Sequence, residues 1–305
     1  MKRVLSQSDF DRFAARSPAI ARHRMIAVSV TAPSAEPFEL PAAVATALAR
    51  PFRRIVVFSG AGMSADSGIP TFRSGNNGLW KEFDPQDLAT PEAWRRDKET
   101  VWGWYEWRRG LVSKAQPNPG HVAVAQLQRE FGASVVTQNV DDLHERAGVT
   151  RVIHLHGSLF AARCFACDEP HELGMPQAEA HRRLMPPRCA RCDDHVRPGV
   201  VWFGESLPEE AVRQASTLMR QCDLLLVVGT SGVVHPAAGM VNLVPRGAPV
   251  IEINPQAGQR SSRIDHSLQT TAAIGLPAVL RRLRAPAEAA VALVCHRPDS
   301  RRRMP

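Results

Sequence analysis

Short apolar runs recur along the chain, and segments with a helical pattern of apolar and polar residues separate them. The runs are rich in Val, Ile and Leu and almost uninterrupted: RRIVVFSG, ASVVTQNV, RVIHLHGS, CDLLLVVGTS and APVIEINP. Such runs are typical of parallel strands that are covered on both faces. The pattern therefore predicts an α/β fold with a Rossmann-like, doubly wound parallel sheet. Helices are expected at residues 90–114, 120–131, 208–221 and 276–284.

Two segments interrupt this alternation. The first, at about residues 74–118, is rich in tryptophan, and it predicts a helical insertion. The second, residues 161–197, holds four of the six cysteines and predicts a small inserted zinc-binding domain. The Rossmann-like domain would then comprise residues 40–160 and 198–285. Residues 1–39 and 286–305 are expected to form a flexible N-terminal extension and a C-terminal tail.

Composition and charge exclude several classes of protein. The chain has 305 residues, 44% hydrophobic and 22% charged, which is enough to bury a full core. No apolar run approaches the roughly 20 residues that span a bilayer, so no membrane partner is expected. The net charge is +8, but many arginines lie in the terminal segments, which argues against specific binding of nucleic acid. We expect a monomer.

The N-terminal segment bears on where the protein resides. Residues 1–24 lack the long apolar segment of a secretory signal. They are rich in arginine, which leaves a mitochondrial transit peptide as an alternative, although Asp9 and Asp11 weaken it. The expected location is the cytoplasm.

The cysteine spacing predicts a metal site. Cys164-x-x-Cys167 and Cys189-x-x-Cys192 form two closely spaced pairs. Two such pairs of thiolates are typical of tetrahedral zinc, and four protein ligands leave no position for a reacting water, so the site would be structural. The alternatives are an iron–sulfur cluster and two disulfides. Disulfides are disfavoured in a chain without an export signal.

A glycine-containing loop follows the first predicted strand. The spacing Gly60-x-Gly62-x-x-Ala65 is typical of loops in which small residues let the backbone approach a dinucleotide. A dehydrogenase would continue with a second strand and an acidic residue about 20 positions on, which holds the ribose. Here the loop-like sequence GIPTFRSGNNGLW follows instead. Hydride transfer is therefore poorly supported.

The longer sequence around this loop is more specific. GAGMSADSGIPTFR resembles the signature of the sirtuin family, and TQNVDDLHERAG, HLHGS, VVWFGE, GTSGVVHPAA and EINP follow in the family's order. The resemblance covers about residues 40–284. It implies an NAD-dependent protein-lysine deacylase, which consumes NAD as a co-substrate. It also implies that the zinc supports the small domain and takes no part in the chemistry.

The resemblance implies a reaction with a general base. The acyl oxygen of the lysine attacks the NAD ribose, nicotinamide leaves, and a histidine then accepts a proton from a ribose hydroxyl. The products are nicotinamide, O-acyl-ADP-ribose and free lysine. The base corresponds to His156, whose imidazole titrates near neutral pH. His154, two residues earlier, is expected to be a supporting residue, and an exchange of the two roles is the alternative.

The resemblance also implies a set of residues that bind NAD. Asn139 and Asp141 would hold the nicotinamide and its ribose, whereas capping of a loop is the alternative role for these two residues. The complete set is Gly60, Ala61, Gly62, Ala65, Phe72, Arg73, Gln138, Asn139, Asp141, Gly229, Thr230, Ser231 and Asn254.

Acylated protein lysines are the expected partners. The segment VVWFGE matches the family segment whose backbone pairs with an extended substrate peptide, a mode of binding that demands few particular side chains. The substrate-binding residues in this segment would be Val201, Phe203, Gly204 and Glu205.

The only tyrosine of the chain lies in the helical insertion. Tyr105-x-x-Arg108 resembles the pair that marks the bacterial and mitochondrial-type sirtuins acting on acidic acyl groups. A buried succinyl or malonyl carboxylate needs a cation and hydrogen-bond donors, which Arg and Tyr supply. Ala89 would leave room for the longer acyl chain. Simple packing of Tyr105 and Arg108 beside tryptophans is the alternative, and deacetylation is expected to coexist.

Two other functions remain open at this stage. One is mono-ADP-ribosyl transfer to protein, which breaks the same bond of NAD but uses a different acceptor. The other is a catalytically silent sensor that binds NAD or nucleic acid. The combination of Asn139, Asp141 and His156 disfavours the sensor, because binding alone does not require a general base.

Overall fold

A computed structural model describes residues 38–71, 84–176, 183–256 and 262–285. The strands are β1 Ile55–Ser59, β2 Ser134–Thr137, β3 Val152–His154, β4 Gly157–Cys164, β5 Pro170–His171, β6 Val196–Val200, β7 Leu224–Val228, β8 Val250–Ile253 and β9 His266–Leu268. The α-helices are α1 Ala42–Ala47, α2 Pro85–Leu88, α3 Pro91–Arg96, α4 Lys98–Lys114, α5 Pro119–Phe131, α6 Leu143–Arg146, α7 Glu209–Gln221 and α8 Ala272–Arg284. Segments Ala61–Ser67 and Ala237–Leu243 are 3-10 helices.

The larger sheet is parallel and doubly wound. In the described part of the chain its strand order is β3-β2-β1-β7-β8-β9, and every neighbouring pair is parallel. The order reverses direction between β1 and β7. Ligands of such sheets bind at this switch point, beyond the carboxyl ends of the strands. The predicted fold class is confirmed.

Side chains of β1 alternate between two hydrophobic cores. Ile55 and Val57 belong to the core that contains residues of α5 and α8. Val56 and Phe58 belong to the opposite core, which contains residues of α7 and of the 3-10 helix Ala237–Leu243. Because both faces are covered, each position of the strand is buried, which explains the absence of polar alternation in its sequence.

A third core joins the two predicted insertions. Strands β5, β4 and β6 form a smaller antiparallel sheet. Its residues pack with helices α2 to α4 in one cluster that includes Trp94 and Trp202, whose ring centroids are 5.7 Å apart. The helical insertion therefore shares its core with the small sheet, a relationship that the sequence pattern did not predict.

Helix boundaries differ from the prediction where caps intervene. The predicted helix at 90–114 is two helices, α3 and α4, separated at Asp97. The side chain of Thr90 caps α3 by accepting a hydrogen bond from Ala93 N, and that of Asp97 caps α4 by accepting one from Thr100 N. Helix α8 begins before the predicted position 276, and Pro277 lies within it. Strand β9 was not predicted.

The remaining organisational predictions concern segments at or beyond the described ranges. The N-terminal extension falls outside them except for its last two residues, and the C-terminal tail lies entirely outside. The domain boundaries stay predictions. No helix in the described ranges is long and apolar enough to cross a membrane.

Candidate active site

A cavity of about 220 Å³ opens at the switch point of the large sheet. Its wall combines the loops after β1, β2 and β7 with helix α4 and the segment after β6. Most of the predicted site residues line it: Gly60, Ala61, Gly62, Ala89, Tyr105, Arg108, Gln138, Asn139, His156, Val201, Phe203, Gly204, Glu205, Gly229, Thr230 and Ser231. The folded chain thus brings together residues from distant motifs.

Three of the predicted NAD-binding residues that the structure describes do not line the cavity. Ala65 is on the exposed side of the first 3-10 helix and does not belong to the described lining of the cavity. Asp141 is buried behind the lining. Asn254 does not line the cavity, but its Nδ2 donates a hydrogen bond to the carbonyl of the lining residue Thr230. Phe72 and Arg73 lie outside the described residues.

The glycines after β1 are required by a contact between two loops. Gly60 N donates to Val228 O at 2.9 Å, and Gly62 N donates to Gly229 O at 2.8 Å. A Cβ on Gly62 would lie 2.7 Å from the Gly229 Cα, and Gly229 itself has a φ of 60°. The small residues therefore let the loops after β1 and β7 meet, and the approach of this backbone to a pyrophosphate stays a prediction.

Thr230 connects the loops that follow three strands. Its hydroxyl oxygen accepts a hydrogen bond from Gln138 Nε2 at 3.1 Å, and its carbonyl accepts one from Asn254 Nδ2 at 3.0 Å. Gln138 follows β2, Thr230 follows β7 and Asn254 follows β8. These bonds fix the spacing of the loops on the side of the cavity where the sequence predicts NAD.

Ser64 holds Asn139 and Asp141 in place. Its hydroxyl donates to Asp141 Oδ2 at 3.0 Å and accepts from Asn139 Nδ2 at 3.3 Å. His121 Nε2 lies 3.5 Å from Ser64 Oγ, and His121 Nδ1 accepts a hydrogen bond from Asn118 N. Because Nδ1 is an acceptor, Nε2 of the neutral ring carries the proton and donates to Ser64. The hydroxyl thereby makes three hydrogen bonds and fixes both side chains that are predicted to hold the nicotinamide and its ribose.

His156 has the geometry of a general base. Its Nδ1 lies 2.8 Å from Gln138 O. A carbonyl can only accept, so Nδ1 carries the proton and Nε2 keeps its lone pair. Burial lowers the pKa of His156 below its usual value, although the bond to Gln138 opposes the shift. The ring is therefore neutral, and able to take a proton at Nε2, near neutral pH.

His154 is bound at both ring nitrogens. Nδ1 lies 3.1 Å from Asn139 O, and Nε2 lies 2.7 Å from Glu145 Oε1. Burial opposes the charged form, but the hydrogen bond and charge of Glu145 outweigh it and raise the pKa of His154. A ring that donates from both nitrogens has no lone pair for catalysis. This geometry favours the supporting role over the exchange of roles with His156.

Tyr105 and Arg108 occupy a buried end of the cavity. Trp202 Nε1 donates to Tyr105 Oη at 3.1 Å, and the Arg108 guanidinium lies 4.8 Å from the centroid of the Trp104 ring. Burial raises the pKa of Tyr105 to about 12 and lowers the pKa of Arg108 to about 10. At neutral pH this end of the cavity therefore presents a phenol and a cation.

The predicted peptide-binding segment is anchored to the protein by its backbone. Val201 N donates to His156 O, and Phe203 N donates to Ala89 O, both at 2.9 Å. A substrate peptide would have to pair with other backbone groups of the segment. The Glu205 carboxylate accepts from Trp202 N at 2.8 Å and pairs with Arg197. Glu205 thus holds the backbone of the segment while it also lines the cavity.

The four cysteines of the small sheet come together in space. Their sulfur atoms lie within 4.8 Å of one another, with Cys164 and Cys192 at 3.4 Å and Cys167 and Cys189 at 3.7 Å. Four sulfurs at 2.3 Å from a tetrahedral zinc would be about 3.8 Å apart, whereas a disulfide requires about 2.05 Å. The donor set fits zinc, and disulfides are excluded by distance.

Comparison with known proteins assigns the family. A family model described as Sir2 family matches residues 60–236, more than half of the chain. This chain belongs to the Sir2 family. The predicted resemblance to the sirtuin family is confirmed, and the same span contains the cavity, His156 and all four clustered cysteines.

Individual Sir2 relatives agree with the predicted class of enzyme. NAD-dependent protein deacylase 1 of Pseudomonas aeruginosa is 53% identical and covers 75% of this chain and 94% of its own length. NAD-dependent protein deacylase 2 of Corynebacterium efficiens is 50% identical over 78% of this chain and 96% of its own. A crystal structure of a Sir2 homolog–NAD complex has a TM-score of 0.73 and 41% identity, with coverage of 83% and 96%.

Sequence reasoning missed the residues behind the Sir2 cavity. Ser64 lies inside the motif GAGMSADSGIP, so its place in that motif could have marked it as a residue of the site. His121 and His144 are separate in sequence, yet their ring centroids are 5.1 Å apart. His144 Nε2 lies 3.0 Å from Ser59 Oγ. Only the packing of α5 and α6 against the sheet brings these rings together.

The two buried histidines, His121 and His144, predict that acid lowers the stability of this protein. Burial lowers the pKa of His121 to about 4 and, with the nearby His121 charge, lowers the pKa of His144 to about 3. Between these values and about 6.5 the unfolded chain binds protons that the folded chain does not. The free energy of unfolding should therefore decrease as the pH is lowered below about 6.5, by up to about 1.4 kcal/mol per histidine for each pH unit.

Urea unfolding at pH 7.5 and pH 5 would measure this loss. The same titration on His144→Gln is the control, because removing one buried imidazole should flatten the dependence on pH. An equally steep dependence in the variant would assign the acid sensitivity to other groups.

Metal removal should destabilise the protein. Elemental analysis is expected to find one zinc per chain, and its removal should lower Tm by at least about 5 °C, because a structural site contributes directly to folding. Cys192→Ser should lose the metal in the same way, whereas Cys222→Ser, outside the cluster, should retain it. A metal-free protein with an unchanged Tm would contradict a structural role.

Proposed function

We propose that this protein removes acyl groups from protein lysines by consuming NAD, and that it favours acyl groups that end in a carboxylate, such as succinyl and malonyl. The observation that carries the preference is the pairing of a buried cation and a buried phenol, Arg108 and Tyr105, at one end of the cavity. A carboxylate buried there gains a two-pronged guanidinium partner and a hydroxyl donor.

The preference follows from the cost of burying charge. Tyr105 and Arg108 are 5% and 7% exposed, so a carboxylate that reaches them loses most of its water. Such a loss is unfavourable unless a cation and donors replace the water. An acetyl group has no carboxylate, so it makes no ion pair with Arg108 at this end of the cavity. Acetyl-lysine is expected to be accepted with lower efficiency.

His156 carries the proton transfer in this proposal. NAD, when bound, would supply the ribose that accepts the acyl group; nicotinamide would leave, and one water would be consumed to release the free lysine. Gln138 O fixes the tautomer of His156, so that Nε2 faces the reaction as a base. Ser64 links Asn139, which lines the cavity, to Asp141 buried behind it, and this pair is assigned to the nicotinamide and its ribose. Acylated proteins are the proposed partners, with the cytoplasm as location and a monomer as the working form.

Matched peptides test the proposal. Succinyl-lysine and acetyl-lysine peptides of one sequence are incubated with NAD, and the acyl-ADP-ribose products are identified by mass. A higher kcat/KM for the succinyl peptide supports the proposal. Turnover of the acetyl peptide alone would refute the preference. Labelled NAD that marks protein, with no acyl-ADP-ribose, would instead indicate ADP-ribosyl transfer.

A further inference from the structure

We propose that Trp202 is a positioning residue for acyl-group selection: its indole N–H orients the Tyr105 hydroxyl as a donor toward the acyl carboxylate, and Arg197 with Glu205 fixes the indole. This inference rests on the proposed function, because it concerns how the same end of the cavity recognises an acidic acyl group. It assigns a role to three residues beyond the Tyr105 and Arg108 pair.

The hydrogen bond between Trp202 and Tyr105 has only one possible direction. An indole nitrogen donates and cannot accept, so Tyr105 Oη is the acceptor of the 3.1 Å bond. The single phenol proton then points away from Trp202. Arg108, whose guanidinium carbon lies 5.9 Å from the centroid of the Tyr105 ring, also carries donors only. The phenol proton is thus available to an acceptor in the cavity, as the carboxylate of a succinyl or malonyl group would be.

The Trp202 ring is itself held from behind. The guanidinium carbon of Arg197 lies 3.4 Å from the ring centroid, which is stacking contact. Arg197 also pairs with both oxygens of Glu205 and donates to Val200 O at 2.9 Å. Glu205 Oε2 in turn accepts from the backbone N of Trp202 at 2.8 Å. The ring and the backbone of Trp202 are therefore fixed by one ion pair.

Burial makes this arrangement stiff. Trp202 is 2% exposed and Arg197 is 3% exposed. Burial opposes ionisation of Glu205, but hydrogen bonds from Arg197 and Trp202 N, together with the Arg197 charge, lower its pKa. The Glu205 carboxylate therefore remains charged near neutral pH. A stacked guanidinium with a bidentate partner has little rotational freedom, so the indole N–H is held toward Tyr105 before a substrate arrives.

Trp202→Phe removes the N–H donor and keeps an aromatic ring. We expect kcat/KM for the succinyl peptide to fall about tenfold, mainly through KM, because one hydrogen bond that aligns a donor to a charged group is lost. The acetyl peptide should lose no more than about threefold. Trp94→Phe is the matched control: Trp94 packs 5.7 Å from Trp202 in the same core, and the ratio of the two activities should not change.

A double-mutant cycle separates positioning from packing. If Trp202 acts through Tyr105, then Trp202→Phe should have little further effect on the succinyl/acetyl ratio in a Tyr105→Phe background. Additive effects of the two substitutions would overturn the proposal. Equal losses for both peptides in Trp202→Phe alone would also overturn it, since they would indicate a purely structural role.

The single tyrosine of the chain permits a direct measurement on the unmodified enzyme. Protein labelled with ¹³C at the tyrosine ζ carbon should give one resonance, which moves on addition of the succinyl peptide and much less with the acetyl peptide. A resonance that does not move at a saturating concentration of succinyl peptide would overturn the proposal even if Trp202→Phe does not fold.

The two proposals fail in different ways. If Arg108→Met reduces succinyl activity selectively while Trp202→Phe does not, the acidic-acyl function stands and only the role of Trp202 is refuted. If the wild-type protein processes no succinyl peptide, the proposed preference fails first, and the positioning proposal is overturned with it.

Discussion

Replacement of His156 by asparagine is expected to lower deacylation by roughly 10²- to 10⁴-fold, the range typical for loss of a general base. Asparagine can still donate to Gln138 O, the bond that orients the native ring at 2.8 Å, but it cannot accept a proton. Release of nicotinamide precedes the action of the base in the proposed reaction. Exchange of labelled nicotinamide should therefore be less affected than formation of free lysine.

The dependence on pH adds a second readout for His156. Only the neutral ring can act as the base, so kcat should fall as the pH drops through the pKa of His156. Because burial lowers this pKa, the fall should occur below the value of about 6.5 that an unperturbed histidine has. His154→Gln is the comparison, since His154 donates from both nitrogens, and it should cost less than about tenfold. A larger loss for His154→Gln than for His156→Asn would reverse the assignment.

Replacement of Arg108 by methionine should reduce desuccinylation by roughly 10²- to 10³-fold, because a buried carboxylate would be left without its cation. Deacetylation should change by only a few-fold, since the acetyl group carries no charge to this end of the cavity. Steady-state kcat/KM for matched succinyl and acetyl peptides measures the two effects. The shape of methionine preserves much of the packing beside Trp104.

Arg109→Met is the matched control for this prediction. Arg109 is the next residue of the same helix and is equally buried, but it pairs with Glu106 at 2.7 Å and donates to Gly174 O at 2.7 Å. Its loss should reduce stability and affect both acyl activities by the same factor. An Arg108→Met variant that behaves in this way would point to a structural role for Arg108 as well.

The family and the enzyme class were predictable because they depend on contiguous motifs. GAGMSADSGIPTFR, TQNVDDLHERAG and HLHGS each place a turn and its functional side chains within one short segment. The parallel sheet was predictable for a related reason: burial on both faces removes polar residues from the strands. Strand β9, only three residues long, carries too short a pattern to be recognised.

The geometry within the cavity depends on contacts between distant segments. Trp202 and Tyr105 are 97 residues apart in sequence, and Ser64 and Asp141 are 77 apart. Sequence periodicity indicates which face of an element is buried, but it does not indicate which side chain of another element will lie opposite. The choice between His154 and His156 also depended on such contacts, because the partners of their ring nitrogens decide which lone pair is available.

The sequence by itself thus determined the class of fold, the Sir2 family, the two candidate histidines and the pairs of cysteines, since each is encoded by local pattern and spacing. The tertiary structure decided why Gly60, Gly62 and Gly229 are small, how the helical insertion and the small sheet share a core, and what holds Tyr105. The physical reason is that close packing and hydrogen-bond direction are properties of surfaces that meet only after folding.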